Sequence, residues 1–259
     1  MSKNYFAGID VGTSYIKVVL INGNNKIIGT FTGRTGSNLK NSLNTGFKMA
    51  ISKPNIVVDD IKHITATGFG RNNVPFANST ITEIKAHAKG VYFYFPKKIT
   101  IIDIGGQDTK IIKIDEEGKT IGFKMNRKCA AGTGSFLEEI SYKLNIPLGK
   151  MNILATKSSK ETALGSFCTV FASTEILTRI KEGEKTEDMV KSAFESVVKR
   201  VIEMDTLKGP IVITGGVIEY NDIILKILGK YVGNDICTTP YPQLNGAIGA
   251  ALIAKDAKD

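Results

Sequence analysis

The sequence predicts an α/β protein in which one structural unit occurs twice. The chain opens with a strand that ends in a carboxylate, a glycine turn and two further strands, and this order starts again near residue 99. The second half then becomes helical, with apolar residues at helical spacing in the segments 131–144, 169–181 and 187–204. We therefore expect two α/β halves that share a common strand order.

Strand and helix signals alternate along the chain and give the bounds of the expected elements. The first half predicts strands over residues 5–10, 15–21, 26–32 and 61–67 and helices over 38–52 and 79–90. In the second half, besides the three helical segments, the pattern predicts a closing helix over 244–255 and strands over 99–104, 109–115, 119–125 and 210–214. Thr186 is a favourable N-cap for the helix that follows it, because Glu187 and Asp188 stand in the first turn.

Composition and charge narrow the class of protein. The 259 residues carry a formal net charge of +9, but the lysines are scattered, so a solvated surface is favoured over nucleic-acid binding. No apolar run approaches the ~18 residues that span a bilayer and no secretory signal is evident, so we expect a cytoplasmic protein without membrane contact. The three cysteines argue against a disulfide framework, and Cys237, on an apolar strand, is expected to pack in the core.

The first motif that carries chemistry is the turn sequence DVGTSYIK. Asp10 ends a strand, where a carboxylate can hold a hydrated Mg²⁺, and Gly12 lets the backbone approach a phosphate. Thr13 and Ser14 offer N–H and hydroxyl donors, and Lys17 on the next strand can reach the same anion. Taken alone, this segment is equally well explained as a simple hairpin turn.

Two further glycine motifs follow in the second half. The sequence DIGGQDTK repeats the first motif, with Asp103 at the strand end and Gly105, Gly106 and Gln107 in the turn. The segment 214–217, Thr-Gly-Gly-Val, follows a strand, and its paired glycines would let an adenosine lie flat against the backbone.

Together, in this order, the three motifs resemble the phosphate-1, phosphate-2 and adenosine motifs of the actin, sugar-kinase and heat-shock ATPase superfamily. The segments 81–90 and 246–250 resemble its two connecting helices. The resemblance implies two ribonuclease-H-like (actin-like ATPase) domains with a nucleotide cleft between them. The first domain would comprise residues 1–96 plus 245–259, and the second residues 97–244.

A narrower resemblance rests on two cysteine motifs. Residues 125–137 (MNRKCAAGTGSFL) and 167–172 (FCTVFA), with 65–71 (TATGFGR), resemble the activators of 2-hydroxyacyl-CoA dehydratases, which belong with the ATPase subunits of benzoyl-CoA reductases. The departures from the family pattern are Arg127 for an acidic residue, Ser135 for arginine, Phe167 for a small polar residue and Ser173 for glutamate. They leave the identity of the partner more open than the ATPase activity.

The resemblance implies ATP/ADP and Mg²⁺ as cofactors and a 4Fe–4S cluster held by Cys129 and Cys168. A cluster needs four thiolates, so two chains of a homodimer would share one cluster. Each cysteine directly precedes a predicted helix, whose N–H groups can stabilise a thiolate. By themselves, both cysteines are more simply interpreted as small buried residues.

The family also implies roles and partners. Asp10 and Asp103 would hold the hydrated Mg²⁺, Gly12, Thr13, Lys17, Gly105 and Gly106 would cradle phosphates, Gly215 and Gly216 would accept the adenosine, and Gln107 would orient the attacking water. The protein would take an electron from a ferredoxin or flavodoxin and pass it to an iron–sulfur dehydratase or reductase component. The alternatives are a small-molecule kinase of the amino-sugar type without a cluster and a regulatory actin-like binding module.

Overall fold

A computed structural model describes residues 4–52, 56–233 and 236–257. In this part of the chain the strands are β1 (Tyr5–Val11), β2 (Tyr15–Asn22), β3 (Ile27–Arg34), β4 (Ile61–Thr67), β5 (Ser79–Thr80), β6 (Ile99–Ile104), β7 (Thr109–Ile114), β8 (Thr120–Asn126), β9 (Ile211–Thr214) and β10 (Ile236–Thr238). The helices are α1 (Leu39–Ser52), α2 (Glu83–Tyr94), α3 (Gly134–Lys143), α4 (Met151–Ala155), α5 (Thr169–Lys181), α6 (Thr186–Met204), α7 (Gly216–Tyr220), α8 (Ile223–Val232) and α9 (Asn245–Asp256).

The chain forms two compact units, each built on a sheet of five strands. Unit 1 comprises residues 1–97, 114–120 and 244–259, and unit 2 comprises residues 98–113 and 121–243. The sheet of unit 1 has the order β3-β2-β1-β4-β5, and the second sheet has the order β10-β9-β6-β7-β8. Read from the other end, the second order matches the first strand for strand, with β6 in the place of β1. In each sheet the central strand, which carries the aspartate, has its hairpin partner on one side and a parallel strand on the other.

In unit 1, strand β1 is central and is covered on both faces. It pairs antiparallel with β2 and parallel with β4. Alternate residues such as Ile9 and Val11 join a core with Leu43 and Phe47 of α1. On the opposite face a Cβ at Gly8 would lie 2.0 Å from the carbonyl oxygen of Ala247, so only glycine permits α9 to pack this closely.

In unit 2, the helices supply most of the core. Strand β6 pairs parallel with β9, and β9 pairs parallel with β10. Phe136 and Ile140, one turn apart on α3, pack with Phe194 and Val197 of α6 and with Ile102 of the sheet. The apolar stripes that the sequence shows are therefore the surfaces that these helices bury.

The predicted α/β class and its duplicated strand order are confirmed, whereas several helix boundaries differ. The helix expected from residue 79 begins at Glu83, because Thr82 is the N-cap and accepts a hydrogen bond from the Lys85 N–H at 3.4 Å. Thr186 is the first residue of α6 and not its cap; Lys185 holds the cap position. Helices α4, α7 and α8 have no counterpart among the elements predicted from the sequence.

The expectation that Cys237 packs in the core is wrong. Its strand, β10, lies at the edge of the unit 2 sheet, and its side chain is exposed. The Cys237 Sγ lies 3.8 Å from the carbonyl oxygen of Ile211 on the neighbouring strand. Successive side chains of a strand point to opposite faces of the sheet, and in β10 it is Ile236, not Cys237, that packs against the core of unit 2. Among the described residues, no helix is both long and apolar enough to cross a membrane.

Candidate functional site

The first glycine motif forms a tight hairpin in unit 1. Asp10 and Lys17 are partners in the β1–β2 register, and the Lys17 Nζ lies 2.9 Å from the Asp10 Oδ2. The Gly12 N–H donates to the Tyr15 carbonyl at 3.0 Å and closes the turn. A Cβ at Gly12 would lie 2.9 Å from that carbonyl, so the turn requires glycine. Thr13 is exposed at the tip of this turn.

Behind Asp10 lies a pocket of buried polar groups from three other elements. The β4 residue in register with Asp10 is Thr67, whose hydroxyl is buried without a hydrogen-bond partner among the described residues. Gly68 follows with φ +87°, and a Cβ there would lie 2.5 Å from the Asp10 Oδ1. A Cβ at Gly246 would lie 3.0 Å from the His87 Nε2 and 3.3 Å from the Asp10 Oδ2. The carboxylate is thus enclosed on the side away from solvent.

His87 has a defined orientation in this pocket. The Asn245 Nδ2 lies 3.1 Å from the His87 carbonyl oxygen and 3.4 Å from its Nδ1. The ring Nε2 of His87 and the Asp10 carboxylate both lie close to Gly246.

The second glycine motif repeats this hairpin in unit 2. The Gly105 N–H donates to the Asp108 carbonyl at 2.9 Å, and the Lys110 Nζ lies 3.2 Å from the Asp103 Oδ2. The lysine stands seven residues after the aspartate in both motifs. Lys110 also pairs with the Asp108 Oδ1 at 2.9 Å, and Asp103 is only 3% exposed. Gln107 is exposed in the turn, and Gly106 beside it is half-buried.

The third motif extends the Asp103 site. Thr214 ends β9 in register with Asp103, and its hydroxyl donates to the Asp103 Oδ1 at 3.0 Å. Gly215 has φ +104°, and a Cβ there would lie 2.2 Å from the Ile104 carbonyl oxygen. Gly216 is the first residue of α7, and the atom nearest to a Cβ there would be the Gln243 Nε2 at 3.4 Å.

Sequence reasoning missed three residues of these sites. Lys110 lies in the second glycine motif and was not predicted as a site residue, although it follows its aspartate by seven residues, as Lys17 does. Thr67 and Thr214 received no role either. The signal that could have found them is a repeated Thr-Gly pair at the end of the strand parallel to each carboxylate strand.

Both proposed cluster cysteines lie exposed in unit 2, so their interpretation as small buried residues is wrong. Cys168 is the N-cap residue of α5, as expected. Cys129 does not directly precede a helix, because Gly132 adopts φ +77° and α3 starts only at Gly134. Instead, the Asn126 Nδ2 holds the Cys129 loop by donating to the carbonyls of Cys129 and Ala131 at 3.1 and 2.8 Å.

Three of the four departures from the family pattern make local contacts. The Ser135 Oγ donates to the Gly106 carbonyl at 2.7 Å, and the Ser173 Oγ donates to the Glu139 Oε1 at 3.2 Å. The Arg200 guanidinium lies 6.0 Å from the centre of the Phe167 ring. Nothing in the structure explains Arg127, which is exposed.

Two sheets of common strand order, each with an aspartate and a lysine joined across a glycine turn, define the actin-like ATPase fold. The chain belongs to the BadF/BadG/BcrA/BcrD ATPase family, whose model matches residues 7–254. This confirms the resemblance on which the sequence-based expectations rest.

Known proteins of this family resemble the chain over nearly its whole length. It is 35% identical to a 2-hydroxyisocaproyl-CoA dehydratase activator of Clostridioides difficile, with 97% of this chain and 95% of the relative covered. Component A of (R)-2-hydroxyglutaryl-CoA dehydratase of Acidaminococcus fermentans superposes with a TM-score of 0.93 at 34% identity, covering 98% of each chain. An activator of 2-hydroxyisocaproyl-CoA dehydratase from Clostridium difficile with bound ADPNP superposes with a TM-score of 0.91 at 34% identity. The match covers 98% of this chain and 95% of the activator.

Proposed function

We propose that this protein is an ATP-dependent, low-potential electron donor that activates an iron–sulfur partner enzyme. The observation that carries the proposal is a continuous connection inside unit 2 between the Asp103 hairpin and both exposed cysteines. The hairpin carbonyls of Gly105 and Gly106 accept hydrogen bonds from the Gly134 and Ser135 N–H groups, at 2.9 and 2.7 Å, where α3 begins. A change at the hairpin is therefore transmitted to the first turn of α3 and to the cysteine loop before it.

The same helix connects the hairpin to the second cysteine. Glu139 of α3 accepts the hydrogen bond of Ser173 on α5, and Ile140 packs in the same core as Ala172 and Ile176 of α5. Cys168 caps that helix, so a shift of α3 moves both thiols. This arrangement supports ATP-driven control of whatever the two cysteines bind.

ATP is the proposed nucleotide, and both hairpins act on its phosphates. Asp10 and Asp103 would hold a hydrated Mg²⁺, which would neutralise phosphate charge. Gly12, Gly105 and Gly106 let the backbone approach the phosphates, with Thr13, Ser14 and Lys17 as further donors. Gln107, exposed in its turn, orients the attacking water. Gly215 and Gly216 line the adenosine position.

A 4Fe–4S cluster fits the donor set only when two chains contribute. Among the described residues, no group of three or more His, Cys, Asp or Glu side chains is placed to hold a metal ion. Two copies in a homodimer would supply four thiolates from Cys129 and Cys168. A cytoplasmic location would keep these cysteines reduced. When bound, the cluster supplies one-electron transfer at low potential.

The partner classes follow from the family. Relatives named as activators of 2-hydroxyacyl-CoA dehydratases make an iron–sulfur dehydratase the first candidate, and the benzoyl-CoA reductase relative makes a reductase component the second. A ferredoxin or flavodoxin supplies the electron. We expect the departures near the cysteines to face the partner.

The test is anaerobic iron and sulfide analysis beside light scattering on four proteins. We expect about four irons per dimer in the parent and none in Cys129→Ala or Cys168→Ala, because a dimer would then offer only two thiolates. The matched control is Cys237→Ala, which removes an exposed thiol at a sheet edge and should keep about four irons per dimer. Iron retained without Cys168, or four irons per monomer, contradicts the shared cluster.

A further inference from the structure

The two carboxylates differ in how their second oxygen is held. In unit 2, the Asp103 Oδ2 faces Lys110, and Oδ1 accepts the Thr214 hydroxyl at 3.0 Å. In unit 1, the Asp10 Oδ2 faces Lys17, and Thr67 occupies the register position that Thr214 has in unit 2. The Thr67 hydroxyl, however, is fully buried and has no hydrogen-bond partner among the described residues.

An unpartnered buried hydroxyl is costly, so its place beside a carboxylate points to a bond made in another state. The Asp10 Oδ1 lies only 2.5 Å from the Cβ position of Gly68, the residue that follows Thr67. Adjacent strands in register present their side chains on the same face of the sheet, so Asp10 and Thr67 are neighbours there. A change of the Thr67 χ1 between staggered wells suffices to turn its hydroxyl.

We propose that Thr67 is a positioning residue that donates its hydroxyl to Asp10 when Lys17 leaves that carboxylate for a phosphate. Lys17 is suited to leave, because its side chain is 16% exposed, whereas that of Lys110 is 4% exposed and is shared by two carboxylates. The Thr67 hydroxyl then replaces the lysine as a hydrogen-bond donor to Asp10, as the Thr214 hydroxyl already donates to Asp103. The inference rests on the proposed ATP hydrolysis and adds a residue to it.

The variants that test this are Thr67→Val, which keeps the shape and removes the hydroxyl, and Thr67→Ser, which keeps the hydroxyl. The matched control is Thr65→Val, on the same strand and face, where the hydroxyl lies 2.9 Å from the Ser79 Oγ and away from Asp10. Thr65→Val should lower the melting temperature and leave ATP turnover unchanged.

Two readouts are measured: kcat/KM for ATP hydrolysis, and melting temperature with and without ADP and Mg²⁺. Thr67→Val should lower kcat/KM about 10-fold, while Thr67→Ser stays within about 3-fold of the parent. Without nucleotide, Thr67→Val should melt about 2 °C or more above the parent, because an unpaired buried hydroxyl is gone. With ADP and Mg²⁺, its gain in melting temperature should be smaller than that of the parent.

Each contrary outcome has one meaning. Thr67→Val with parental turnover, or a melting temperature below that of the nucleotide-free parent, overturns the role of Thr67 while leaving the ATPase intact. Equal losses in Thr67→Val and Thr67→Ser also overturn it, because shape and not the hydroxyl would then matter. A parent that does not hydrolyse ATP refutes the proposed function itself.

Discussion

The hairpins at Asp10 and Asp103 have the same backbone turn and the same carboxylate–lysine pair, but they are held with different rigidity. Both turns are closed by a glycine N–H that donates to a carbonyl three residues on. The Asp103 carboxylate is fixed by Lys110 and Thr214, and its turn is attached to α3. The Asp10 carboxylate is fixed by Lys17 alone among these groups. The Asp103 hairpin is thus rigidly connected to α3, whereas the Asp10 hairpin keeps Lys17 available.

The largest effect that tests this comparison is expected at the glycine after Thr214. Gly215→Ala would place a Cβ 2.2 Å from the Ile104 carbonyl oxygen at a φ of +104°, where nothing but backbone movement gives relief. We expect unit 2 to lose about 3 kcal/mol or more of unfolding free energy. Urea unfolding followed by circular dichroism measures the change. A loss below about 1 kcal/mol would show that the backbone around Thr214 is not rigid.

The next effect is the difference between the two lysine variants, which we expect to be about 2 kcal/mol of unfolding free energy. Lys110→Met should lower the unfolding free energy by about 3 kcal/mol or more, because it leaves Asp103 and Asp108 without their shared counter-charge in a buried site. Lys17→Met should lower it by about 1 kcal/mol, since its pair is closer to solvent. Chemical denaturation of both variants in the same buffer gives the comparison. Equal losses would contradict the difference in rigidity.

The smallest structural effect is expected at Gly216. A side chain there has room within the protein, since its nearest neighbour would be the flexible Gln243 at 3.4 Å. Gly216→Val should therefore change the unfolding free energy by less than about 1 kcal/mol and weaken ADP binding about 10-fold by occupying the adenosine position. Calorimetric titration with ADP measures the affinity. Unchanged affinity would mean that Gly216 does not contact the nucleotide.

The sequence predicted those parts of the fold that depend on local pattern. Strand alternation and the repeated glycine turns predicted the strands of both sheets except β5, which lies in the segment 79–90 that was expected to be helical. The stripe through Phe136 and Ile140 predicted the buried face of α3. It did not predict that Cys237 is exposed, because the face of β10 that is covered depends on packing against elements distant in sequence. It also missed Thr67 and Thr214, since only the parallel registers with Asp10 and Asp103 place them beside the carboxylates.

We propose that the two hairpins serve one ATP-hydrolysing site, and ATP turnover in aspartate variants tests this proposal most directly. Asp10→Asn and Asp103→Asn keep the side-chain shape and each remove one negative charge from the proposed Mg²⁺ site. Each single variant should lower kcat for ATP hydrolysis by about 100-fold or more, and the double variant should fall little further, because residues of one site act as a unit. Near-normal turnover in Asp103→Asn, with its fold intact by circular dichroism, would contradict the account.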